Sequence, residues 1–252
     1  MAPTRTITLG ARFNGPPGSA NGGYACGMSA CAVTDGPAEV ALRRPPPLEV
    51  PLEVVLSDDG GEVRHDGQTV AVVTAWDGQL DLPPAVPATT VDEVAAAFDV
   101  DAYAAAHSFD RCFTCGPARP GRDGLGLYPA PVPGTGTVVW PWTPAADTVD
   151  DDGLVAAPLL WAALDCPTGL AWINAPDGTT TGPAVLGRLA VRIDRRPAAG
   201  ERLVVEGWQR EADGRRRHAG GAVRSRDGEV LAVSKATWVV LDADQAAAFG
   251  AS

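Results

Sequence analysis

An acid set in an apolar helix is the first feature of this chain that could do chemistry. In Ala157-Pro158-Leu159-Leu160-Trp161-Ala162-Ala163-Leu164-Asp165-Cys166-Pro167-Thr168-Gly169, the residues Leu159, Ala162, Ala163 and Cys166 recur at helical spacing. Leu160, Trp161 and Leu164 cover most of the remaining surface. A helix apolar nearly all round is wrapped by other elements. Asp165, expected near the end of this helix, is then a carboxylate in apolar surroundings. Such a group is costly unless donors reach it. Burial also raises its pKa toward the range useful to a general base or a nucleophile. The plainer reading is a structural carboxylate bonded to backbone or to Thr168.

Asn21-Gly22-Gly23 opens a second helical stretch, 24–33, which is small and apolar. Backbone N–H groups at a helix start can hold a developing oxyanion, although a glycine turn with an Asn cap also accounts for them. Cys112 and Cys115 form one C-x-x-C. With no second pair and no histidine placed beside it by sequence, this is half of a zinc site, so neither a metal nor a cofactor is expected. His65, His107 and His218 are scattered, and no G-x-S-x-G occurs. Arg215, Arg216, Arg217 and His218 make a compact basic patch that suits either phosphates or a solvated hairpin. Arg188 and Arg192 alternate along a strand and are candidates for an anion or for surface ion pairs. Trp140, Trp142, Trp161, Trp172, Trp208 and Trp238 either line an apolar ligand pocket or fill the core.

Elements that must position these residues follow from the punctuation. A first strand is expected in 7–13, then a breaker-rich run and the helix at 24–33. Strands are expected at 39–43, 52–56, 62–65 and 69–76, with Asp66-Gly67 as a hairpin turn. Residues 82–100 read as a connector that becomes helical at 91–98. A short strand is expected around 125–128 and another at 137–142. After the helix bearing Asp165 come strands at 184–193, 202–208, 217–225 and 229–241. Strand, helix and a four-strand antiparallel meander thus occur twice. The expected division is 1–105, a degenerate first copy with its connector, and 106–252, the copy that carries Asp165.

The 252 residues hold enough apolar material for one large core or two small ones. The net charge of -11 argues against a phosphate-neutralising surface, so no nucleic acid partner is expected. No apolar run approaches the ~20 residues that span a bilayer, and the first residues lack the apolar core of a signal peptide. Five cysteines, an odd number, fit a reducing compartment. A cytoplasmic protein without a membrane partner is the expectation.

This order of elements resembles the hotdog fold, an α+β architecture, and two copies in one chain resemble a double-hotdog acyl-CoA thioesterase with two antiparallel sheets, each wrapped around a central helix. Cys112-Phe-Thr-Cys-Gly-Pro-Ala-Arg-Pro, followed by Gly124-Leu125-Gly126-Leu127, looks like the Cys-Phe-x-Cys-Gly…Gly-Leu-x-Leu stretch of phenylacetyl-CoA-type thioesterases. Asn21-Gly22-Gly23 resembles the turn before their central helix, and 159–165 resembles the helix that carries their catalytic acid. The resemblance implies hydrolysis of an acyl thioester, linked to coenzyme A or a carrier protein. Asp165 would be base or nucleophile, the Gly22 and Gly23 N–H groups would polarise the carbonyl, and Asn21 would orient the substrate. Trp161, Thr168, Arg188, Arg217 and His218 are the expected substrate contacts. Ala30 stands where the first helix would carry an acid, and Gly187 and Ala236 stand where one branch places a Thr and a Gln. One competent acid is therefore expected rather than two. Dehydration or hydration of an acyl thioester, which pairs a His with the acid, and non-catalytic binding of a thioester remain as rival readings. Whether copies of the chain assemble is left open.

Overall fold

The computed structural model describes residues 5–119, 123–173 and 182–249. Pro120, the last residue of the Cys112 motif, lies outside them. In chain order the elements are β1 (Arg5–Thr8), α1 (Gly22–Val33), β2 (Ala38–Leu42), β3 (Pro51–Ser57), β4 (Gly60–His65), β5 (Gln68–Ala75), α2 (Ala88–Ala96), α3 (Val100–Ala106), β6 (Ala130–Pro131), β7 (Thr137–Trp142), α4 (Ala157–Ile173), β8 (Ala184–Ile193), β9 (Leu203–Asp213), β10 (Arg216–Ser225), β11 (Val230–Val240) and α5 (Ala243–Ala248).

The strands form one antiparallel sheet in the order β1-β3-β4-β5-β2-β8-β11-β10-β9-β7-β6. The two expected sheets, read as joining edge to edge, run on as one. β2 and β8 join edge to edge, with Glu39 opposite Ala190 and Val40 opposite Leu189. Each would otherwise present a row of unpaired backbone groups, and their pairing removes both edges. Outward from this seam, β2-β5-β4-β3-β1 and β8-β11-β10-β9-β7 follow the same order, and β6 extends the second side. The expected four-strand meander is corrected to three strands, β3-β4-β5 and β9-β10-β11. β2 and β8 pair across with β5 and β11 instead of with the strands that follow them. Hairpin chemistry favours neighbours in sequence, but it does not say where a strand outside the hairpins docks.

Both central helices lie in the core. α1 packs on β2 to β5, α4 packs on β7 to β11, and the two helices pack on each other. α4 is buried along nearly its whole length, from Leu159 to Trp172. It does not end near Gly169. Pro167 lies inside it, and Gly169 serves packing: a Cβ there would come 2.8 Å from the Trp238 ring. Asp165 therefore sits mid-helix, not near an end. Burial on all sides outweighs the local penalty of one proline and one glycine.

Asp66 and Gly67 both take positive φ, 47° and 72°, as a two-residue turn between β4 and β5 requires. Residues 125–128 are not a strand. Gly126 has φ +64°, and Leu125 and Leu127 donate their N–H groups to Phe113 O and Thr114 O. This pins the segment to the cysteine turn rather than to the sheet. The first strand is shorter than expected, and Ala11–Phe13 is a turn of 3₁₀ helix. Helices α3 and α5 had no strong periodicity to reveal them. Among the described residues, no helix is long and apolar enough to cross a membrane.

Candidate active site

Asp165 is 2% exposed and lines a cavity of about 510 Å³ at the seam. Its Oδ2 accepts two hydrogen bonds from the start of α1: one from Gly23 N at 2.9 Å, the other from Asn21 Nδ2 at 2.8 Å. Oδ1 is buried and has no partner among the described residues. Burial pushes the carboxyl up to about 7; the Gly23 N–H pulls it down, the nearby Cys112 sulfur pushes it up and Asn21 pulls it down.

Local sequence explains why the two helices meet at this point. Asn21 is the N-cap of α1, and its Oδ1 accepts from Tyr24 N at 2.8 Å. That bond aims the amide nitrogen at Asp165. Gly23 and Gly27 face α4 one turn apart. A Cβ on Gly23 would fall 2.5 Å from Asp165 Cβ and 2.6 Å from Trp161 O, and one on Gly27 would fall 2.7 Å from Pro158 Cα. Only glycine lets the helix backbones come this close, and the close approach is what brings an N–H of α1 within reach of an acid on α4.

The expected contacts fall in several places. Asn21 was expected to orient substrate, but its amide is bonded to Asp165. The Gly23 N–H, expected to polarise a carbonyl, is taken by the same carboxylate. Gly22 remains available. It lines the cavity, and as the first residue of α1 its N–H has no intrahelical acceptor. Trp161 is a core residue against Gly27 and does not line the cavity. Thr168 is fully buried. It donates to Asp165 O at 2.6 Å and accepts from Trp238 Nε1 at 2.8 Å, so it ties α4 to β11. Of the tryptophans, Trp238 alone lines the cavity.

The expected cations are elsewhere. Arg188 pairs with Glu39 across the β2–β8 seam. Arg217 lies over the Trp172 ring, 5.6 Å from its centroid, and His218 Nδ1 meets Thr237 Oγ1 at 3.1 Å. None of the three lines the cavity. Their places on the sheet follow from register, which the alternation of a single strand does not reveal. Arg43 and Arg44, unremarked in the sequence, do line the cavity and are exposed. Their signal was a charged pair directly before Pro45-Pro46-Pro47, where β2 has to stop.

Cys166 was also missed. Its sulfur lies 3.7 Å from that of Cys112, and Cys115 completes a cluster. Hydrogen bonding with the Cys115 and Cys166 side chains and with the backbone of Cys115 and Thr114 holds the Cys112 thiol well below its usual range. Cys115 and Cys166 are pushed up by that same arrangement and by burial. His107 lines the cavity as well. Its Nδ1 accepts from Phe109 N at 3.0 Å and its Nε2 lies 3.3 Å from Cys115 Sγ. Among the described residues neither His107 nor His218 bonds to Asp165, so the His–acid pair that dehydration chemistry calls for is not formed.

No protein-family model matches the chain, and no curated protein sequence matches it. Solved structures do. A candidate thioesterase from Novosphingobium aromaticivorans aligns over 94% of this chain and 95% of its own, at 16% identity and a TM-score of 0.58. The tesB protein of Mycobacterium avium subsp. paratuberculosis aligns over 93% and 91%, at 15% identity and a TM-score of 0.55. The chain has the hotdog fold. It spans 61% of the length of a further match, a thioesterase superfamily protein with 22% identity and a TM-score of 0.44. In this hotdog chain the acid and the N–H groups that hold it come from different central helices, Gly23 142 and Asn21 144 positions from Asp165. The arrangement therefore exists only where α1 and α4 pack on each other.

Proposed function

We propose that this chain hydrolyses acyl thioesters, with Asp165 as general base. The reading rests on one observation above all. A buried carboxylate with one committed and one unpartnered oxygen lines a cavity of about 510 Å³, a size typical of small-molecule sites. We also read the chain as two hotdog units, 1–105 and 106–252, with the cavity between them.

The chemistry follows from the geometry. Oδ2 is fixed by Asn21 and Gly23, which leaves Oδ1 to take a proton from water. The water oxygen attacks the thioester carbon, and the carbonyl oxygen gathers charge. The Gly22 N–H, at the positive end of α1, holds that oxygen. When the tetrahedral intermediate collapses, the C–S bond breaks and the proton on Asp165 passes to the departing thiolate. The products are a carboxylic acid and a free thiol. The apolar wall formed by Leu42, Leu170, Leu186 and Trp238 receives the acyl group, and Arg43 and Arg44 meet the phosphates of a coenzyme A carrier. Dehydration is disfavoured by the bonding of His107 to the cysteine turn.

The test is a panel of short-chain and aryl acyl-CoAs assayed by free-thiol release. Turnover is expected, and Asp165→Asn should lower it at least 100-fold while circular dichroism stays native. Unchanged turnover in that variant would refute the role of Asp165. Binding without turnover in the wild-type chain would make the protein a thioester binder.

A further inference from the structure

The hydrolysis just described makes no use of the cluster formed by Cys112, Cys115 and Cys166. All three residues are buried, and their sulfurs lie within 4.8 Å of one another. The Cys112 and Cys166 sulfurs are 3.7 Å apart. Two thiolates on one tetrahedral ion, each at about 2.3 Å, stand about 3.8 Å apart.

The turn that carries two of the sulfurs is built to present them. Gly116 N–H closes it on Cys112 O at 2.8 Å. A Cβ on Gly116 would lie 2.5 Å from both Cys112 N and Asp110 O, so the turn admits only glycine. Asn21 Nδ2 reaches the Cys112 sulfur from α1 at 3.6 Å. His107 accepts from Phe109 N through Nδ1, which places its proton on Nε2, directed at Cys115 Sγ. Donors thus reach the sulfurs from the start of α1 and from the end of α3. Metal-bound thiolates are supported in this way by the groups around them.

We propose that Cys112, Cys115 and Cys166 bind one zinc ion as three thiolates. Three soft sulfur ligands select zinc over magnesium or calcium. All three residues line the cavity, so the fourth position faces it and is filled from it, as in zinc sites that keep an open position. His107 hydrogen-bonds to a ligand and stays outside the coordination sphere. The assignment does not depend on thioester hydrolysis, and its test does not read turnover.

The experiment measures metal in the full-length chain, purified without added chelator and dialysed against zinc. One zinc per chain is expected. Cys112→Ser, Cys115→Ser and Cys166→Ser should each weaken retention at least 100-fold against a chromophoric chelator, whereas Cys26→Ser and Cys31→Ser should leave it unchanged. A serine variant that does not fold says nothing about ligation, so the wild-type chain is also loaded with cobalt(II). An intense sulfur-to-cobalt charge-transfer band, with intensity appropriate to three thiolates, is expected. A chain that holds no zinc after dialysis and shows no such band overturns the proposal. So do folded serine variants that keep zinc as the wild type does, or peptide mapping that finds Cys112 and Cys166 joined as a disulfide in the freshly purified protein.

Discussion

Gly23 N donates to Asp165 Oδ2 at 2.9 Å, from the first turn of one central helix to the middle of the other. The bond exists because residue 23 has no side chain. The same absence lets the α1 backbone lie against Trp161 O and Ala162 Cα. Packing and site geometry are therefore one property at this position.

Gly23→Ala should accordingly fail on both counts. Its new Cβ would overlap Asp165 Cβ and Trp161 O, neither of which is the far end of a flexible chain. Overpacking of a core costs about 1–3 kcal/mol. A loss of that size in denaturant titration is expected, with acyl-thioester turnover reduced at least tenfold in the protein that remains folded. A variant as stable and as active as the parent would show that the helices separate freely.

Turnover should rise with pH. A base must be ionised to work, and burial pushes Asp165 up to about 7. The ascending limb of the pH–rate profile should lie near that value. Asn21→Ala removes one of the two donors that favour the charged form, so it should move the limb to higher pH. A profile flat from pH 5 to 9 would count against Asp165 as the base.

The same group links stability to pH, with a definite sign. The folded pKa of Asp165 is raised above its usual 3.8, so folding favours the protonated form. Its contribution is fully present below about 3.8 and is lost as pH rises through about 7. Asp165→Asn should therefore stabilise the chain more at pH 8 than at pH 4, by at most about 4 kcal/mol at roughly 1.4 kcal/mol per pKa unit. Unfolding curves at the two pH values would show this, and a larger gain at pH 4 would reverse the assignment.

Arg43 and Arg44 are exposed at the cavity. Reversing both charges, Arg43→Glu with Arg44→Glu, should raise KM for coenzyme A esters at least fivefold at low salt and leave kcat within twofold. The penalty should shrink at high ionic strength, because exposed charge interactions are screened. Equal loss with an ester lacking the nucleotide would place the effect on folding instead.

Arg224 and Glu206 form a buried pair at 2.9 Å between β9 and β10. Glu206 Oε1 also accepts from Val86 N, and Arg224 donates to Pro83 O, so the pair fastens the connector to the sheet. Glu206→Ala strands a buried guanidinium, which costs about 3–5 kcal/mol. Thermal unfolding should show a loss of that order, several times the effect of breaking the exposed Arg215–Asp242 pair.

Much of this was legible in residue order. The apolar runs around Leu159 and Tyr24 specified buried helices, since no other environment suits such surfaces. Asp66-Gly67 specified its hairpin through backbone conformation alone. The 184–193 alternation specified β8 to the residue. These are local properties, and nearby residues suffice to decide them.

Register, the seam and the cluster belong to the tertiary structure. Arg188 faces Glu39 and Arg217 lies on Trp172 because of strand pairings that no single strand encodes. Asn21 and Gly23 bond to the acid because two helices distant in sequence meet at glycines. Cys166 joins Cys112 and Cys115 from 54 and 51 positions away. The sequence by itself determined that two helices are buried and that one of them carries an acid. The fold alone decided which donors reach that acid and which sulfurs lie beside it, because contacts between distant segments depend on how whole elements pack.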